Sequence, residues 1–147
     1  MFLRRTPGQT FAQALDARAD AEPAPLGEAE LAVAAALRAR AEAVLGGTVE
    51  SHQSLDVVEL THEPTGIQLS FFGAEAGLSV PYWYVGDAAT HIVTQLYALA
   101  REVEEATGLE GFDEQLGEPV ATADAEAAAA LFAQTGGIMA RFAPGTG

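Results

Sequence analysis

The hydrophobic period of this chain changes twice. From residue 28 to 45 the apolar residues Ala34, Leu37, Ala41, Val44 and Leu45 recur at steps of three and four. From about residue 48 to 85 they alternate with polar ones, and after Gly86 the helical step returns with Ala89, Ile92, Leu96, Leu99 and Val103. A helical stripe buries one side of a helix, and an alternating run buries one face of a strand. Each surface needs the other as cover, so the expected fold class is α+β.

Segments 48–53, 55–62, 67–72 and 78–85 read as strands. Between them, Glu63-Pro64-Thr65-Gly66 and Gly73-Ala74-Glu75-Ala76-Gly77 supply the Pro and Gly of tight reversals. Short connections of this kind join antiparallel neighbours. The expectation is an antiparallel meander of three to five strands with two long helices packed on one face. Pro81 removes a ladder donor, which puts the last strand at an edge or on a bulge. Glu28 and Glu30 complement the dipole of the first long helix, and Gly46-Gly47 ends it. Asp87 is the expected N-cap of the second, which runs to Thr107 and stops at Gly108.

The ends read differently. Residues 1–26 are expected to form an arm, with a short helix over 10–20 (Phe11, Ala14, Leu15, Arg18) and a linker at Pro23 and Pro25. Residues 27–137 make a single α+β domain and 138–147 a tail. Segment 109–120 reads as irregular, with Phe112 folded back on the core. Thr122 or Asp124 caps a short C-terminal helix over 125–134. If Ile67, Leu69 and Phe71 face the helices, then Phe72, Trp83, Val57 and Val85 look to the other side of the sheet. Phe2, Leu3, Phe11 and Leu15 of the arm would cover that side, within the chain or by exchange in a homodimer.

Composition removes several functions. The chain has 147 residues, no Cys and a formal net charge of −14. A disulfide scaffold is excluded, and so is a nucleic-acid binder that works through a broad basic face. All seven basic residues are Arg, and Lys and Asn are absent. That bias is the expected mark of a bacterial genome rich in GC. Arg4 and Arg5 are not followed by an apolar run, and no stretch approaches the ~18 apolar residues of a spanning helix. The expected location is cytoplasmic, with no membrane partner.

Three kinds of chemistry compete. His52 and Asp56 are spaced for a helix face but lie on strand-like sequence, where ~3.3 Å per residue sets them about 13 Å apart. No metal or other cofactor is expected, and His52, His62 and His91 read as surface residues. His91 falls in the first turn of the second long helix, where the dipole favours the neutral imidazole that acts as a base. Tyr82, Trp83 and Tyr84 would wall a ligand pocket beside it. No nucleophile elbow, phosphate loop or zinc-protease motif accompanies them, so an enzyme is the minor reading. The third feature is acidity. Glu102, Glu104, Glu105, Glu110, Asp113, Glu114 and Glu118 follow one another with no base between. Such a stretch suits a basic protein partner, as in immunity proteins and antitoxins, and the expected function is a non-enzymatic interaction module.

Overall fold

The computed structural model describes residues 1–19, 24–81, 84, 86–113 and 118–120. The fold is α+β. Strands β1 (Phe2–Leu3), β2 (Glu50–Gln53), β3 (Val58–His62), β4 (Ile67–Phe71), β5 (Glu75–Ser79), β6 (Glu110–Asp113) and β7 (Glu118–Pro119) accompany helices α1 (Phe11–Ala19), α2 (Glu28–Leu45) and α3 (Gly86–Thr107). They lie in the order β2-β3-β4-β5-β1-β6-β7, every pair antiparallel. Six strands form the main sheet and the two-residue β7 adds to β6, against the three to five expected. The extra strands come from segments that carry too few residues to show alternation: Phe2–Leu3 and 110–113.

The middle of the sheet follows its sequence pattern closely. On β3 and β4 the burial alternates, so Val58, Leu60, Ile67, Leu69 and Phe71 face inward. Register sets Val58 opposite Phe71 and Leu60 opposite Leu69. The intervening turn closes with Gly66 N–H donating to the His62 carbonyl. The next reversal is tighter than expected. Phe72 N–H donates to Glu75 O, and β5 starts at Glu75 rather than residue 78.

Helices α2 and α3 cover the inward face, sharing a core of Ala34, Leu37, Ala41, Ile92, Leu99 and Val103. Arg40 of α2 ties them at the rim, 2.6 Å from Glu102 and 3.6 Å from Glu105. Asp87 lies within the first turn of α3 instead of capping it, because the helix already begins at Gly86. Gly108 ends it with φ 71°, its N–H donating to Glu104 O. No described helix is long and apolar enough to cross a membrane.

The first residues of the chain sit inside the sheet. Phe2 pairs with Ala76 on one side and Gly111 on the other, while Leu3 pairs with Glu75 and Glu110. Neighbouring strand residues point to opposite faces. Phe2 therefore enters the main core, and Leu3 joins a second cluster with Phe11, Ala14, Met1 and Phe112 on the far side. Helix α1 lies over that cluster, with Phe11 stacked on Phe112 at 4.3 Å and 12°. Phe112 thus folds onto the arm helix, not onto the main core. Arg5 and Arg18 meet Glu110 and Glu75, the two acids flanking Leu3. Arm residues cover the open face within the chain at this end, while Phe72 remains exposed. Trp83, Val85 and the expected helix over 125–134 lie outside the described residues.

Gly111 is the close approach that admits Phe2. A Cβ there would stand 2.6 Å from Phe2 Cε1 and 3.0 Å from Val120 Cγ2. Gly111→Ala is expected to destabilise by about 1–3 kcal/mol, the usual cost of overpacking. A urea titration reads this as a lower midpoint at unchanged slope.

Candidate functional site

The acidic stretch is divided by the fold. Glu102 is held by Arg40 through a 2.6 Å contact. Glu104 Oε2 accepts the Gly111 N–H at 2.9 Å, pinning β6 to the end of α3. Glu110 takes both prongs of the Arg5 guanidinium, at 2.9 and 2.7 Å, on the face opposite the long helices. Asp113 accepts the hydroxyl of Tyr97, which is buried on α3. Glu105 is the exposed one among the described acids of the stretch, its side chain 72% exposed and 3.6 Å from Arg40. Glu102 and Glu105 share one rim of the helix layer, Glu104 of α3 reaches β6 and Asp113 of β6 reaches α3, and Glu110 lies across the sheet. Glu118 belongs to β7 by its backbone, and Glu114 lies outside the described residues. Part of what reads in sequence as an acidic surface is thus the set of polar ties between α3 and β6.

The aromatic candidates have other partners. Tyr84 donates its hydroxyl to the Thr65 carbonyl at 2.5 Å. His91 is exposed in the second turn's reach of α3, while Tyr82 and Trp83 lie outside the described residues. Among the described residues no three His, Cys, Asp or Glu side chains gather closely enough to hold a metal ion.

His62 corrects the surface reading. It continues the inward phase set by Val58 and Leu60, and its side chain is buried at 3% exposure. Its ring nitrogens are both engaged, Nδ1 with Thr65 Oγ1 and Nε2 with the Gly46 carbonyl, each at 2.7 Å. Thr65 in turn lies under Tyr84. This network joins the end of α2, the β3–β4 turn and the entry to α3. The signal was present in the sequence as the alternation phase, which puts residue 62 inside with 58 and 60.

A cavity of about 590 Å³ opens between the 5–10 turn and β6–β7, lined by Arg5, Thr10, Phe11, Glu110, Phe112 and Pro119. Its size suits a small molecule. Its charged groups, however, close on each other, since Arg5 already holds Glu110.

The remaining feature is the β2 edge, whose four residues are all exposed. Ser54 N–H donates to Val57 O at 2.8 Å, which makes that pair the first bonded rung of the β2–β3 hairpin. Bonded and non-bonded pairs alternate along an antiparallel ladder. The backbone groups of Val49, Ser51 and Gln53 therefore point away from β3. Val49 is served from α2: Glu42 accepts its N–H at 3.1 Å and Arg38 donates to its carbonyl at 2.8 Å. Ser51 and Gln53 face outward, with no strand beyond them among the described residues.

No known family, curated protein or solved structure matches the chain.

Proposed function

We propose that the protein is a non-enzymatic interaction module that binds a basic protein partner, in the manner of small acidic immunity proteins and antitoxins. The observation that carries this reading is charge: −14 overall, with Arg5, Arg18 and Arg40 spent on Glu110, Glu75 and Glu102 of the same chain. What a partner meets is a chain of strong net negative charge, three of whose seven Arg are already turned toward its own acids. Such a field speeds association with a cationic protein and is screened over about 8–10 Å at physiological salt. Among the described acids of the stretch 102–118, Glu105 has the exposed side chain, and the anchored acids beside it add to the local potential.

The reading is tested with purified basic nucleases of the toxin type, titrated calorimetrically against the full chain. Affinity is expected to fall at least about tenfold between low and moderate salt, the behaviour of charge-steered complexes. Glu105→Arg is expected to weaken it several-fold, roughly the effect of reversing one exposed charge, while the melting temperature stays put. Binding indifferent to salt, or none at low salt across the panel, overturns the reading.

A further inference from the structure

We infer that β2 is a docking edge at which an extended segment of the cationic partner adds as a further strand, bonding to the backbone of Ser51 and Gln53. This inference rests on the proposed function and names the contact through which it operates. Strand addition needs an outer strand with free backbone groups, and specificity then comes from the side chains alongside. Among the described residues no strand lies beyond β2 in the sheet. The fold serves Val49 from Arg38 and Glu42 but leaves the next two outward positions for an incoming chain. That arrangement gives the ladder a stop at one end and so fixes the register of whatever adds.

Charge selects the occupant. Register puts Glu50 opposite Thr61 and His52 opposite Glu59, so these four side chains share the face away from the long helices. An added strand lays alternate side chains beside Glu50 and near Glu59, which favours Lys or Arg at those positions. The edge itself carries neither Lys, nor Pro, nor a bulge, the usual devices that repel another strand. A second copy of this chain fits poorly. Charge is the reason: two chains of charge −14 repel, and a two-fold edge pairing would bring the Glu50 and Glu59 carboxylates of both copies to one seam.

The probe is a capped synthetic peptide of about eight residues alternating Lys and Thr, with a Glu–Thr peptide as control, added to the full chain. At low salt the cationic peptide is expected to bind and the acidic one not. Amide exchange at Ser51 and Gln53 is expected to slow at least about tenfold, with His52, already in the ladder to Glu59, unchanged. Ser51→Pro removes an outward N–H, a substitution that edge strands tolerate, and is expected to cost about tenfold in peptide affinity. Gln53→Pro tests the second position in the same way. If both variants fold and bind the peptide as before, or if exchange at Ser51 and Gln53 does not respond, the docking edge is wrong. Salt-sensitive nuclease binding would in that case leave the charge reading standing. Failure to bind the peptide while the nucleases bind sinks the edge alone, and failure of both sinks the two together. A peptide-free dimer in sedimentation with Ser51 and Gln53 protected would assign the edge to a second copy and overturn the inference.

Discussion

A chain lacking residues 1–9 is expected to lose its cooperative urea transition at 25 °C. The segment supplies β1, which lies between β5 and β6 and joins two parts of the sheet with no other described contact strand between them. Phe2 and Leu3 are each almost wholly buried, one in the main core and the other under α1. Truncating a buried Phe to Ala costs about 3–5 kcal/mol, and domain stability totals about 5–15 kcal/mol. Phe2→Ala alone thus threatens much of the stability. Removal of the strand adds the loss of Leu3, the exposure of the β5 and β6 edges, and the freeing of Glu110 from Arg5. Circular dichroism during the titration decides the matter. A truncated chain with the parent midpoint would show that β1 is an accessory to the sheet and not a part of it.

This strand also shows where sequence reasoning stops. The two long helices and β3–β4 are legible because each holds enough residues to display a period: five alternating positions from Val58 to His62, and again from Ile67 to Phe71. Two residues cannot alternate. Phe2–Leu3 reads as an apolar arm, and only pairing with partners more than 70 positions away makes it a strand. Segment 110–113 fails for a related reason. Its Gly111 looks like a breaker, yet it is the residue whose missing side chain admits the Phe2 ring. The acidic run misleads in another way. Sequence reports that Glu104 and Asp113 are charged, but not that a backbone N–H of Gly111 and a buried Tyr97 hydroxyl wait for them. The last strand of the meander, expected at an edge or on a bulge because of Pro81, lies inside the sheet instead: β1 adds beyond β5, which ends at Ser79 before the proline, and no local pattern announces that insertion.

His62→Ala is the second substitution expected to have a large effect, about 2–4 kcal/mol. The Gly46 carbonyl only accepts, so Nε2–H donates to it, while Nδ1 bonds the Thr65 hydroxyl. Alanine removes both bonds at once and leaves a void beneath a turn that also receives the Tyr84 hydroxyl. Each lost bond to a buried partner costs roughly 1–3 kcal/mol, moderated here because Gly46 is exposed and its carbonyl can take water. The void adds to the total. His62→Gln places an amide N–H near the position of Nε2 and is expected to retain about 1 kcal/mol of what alanine loses. Tyr84→Phe, which removes only the hydroxyl, is expected to cost about 1 kcal/mol. Urea midpoints rank the three variants Ala below Gln and Gln below Phe, and the double variant His62→Ala with Tyr84→Phe should lose less than the sum, because both groups act through Thr65. Additive losses would show that the His62 and Tyr84 contacts are separate, and that the end of α2 and the entry to α3 are held independently.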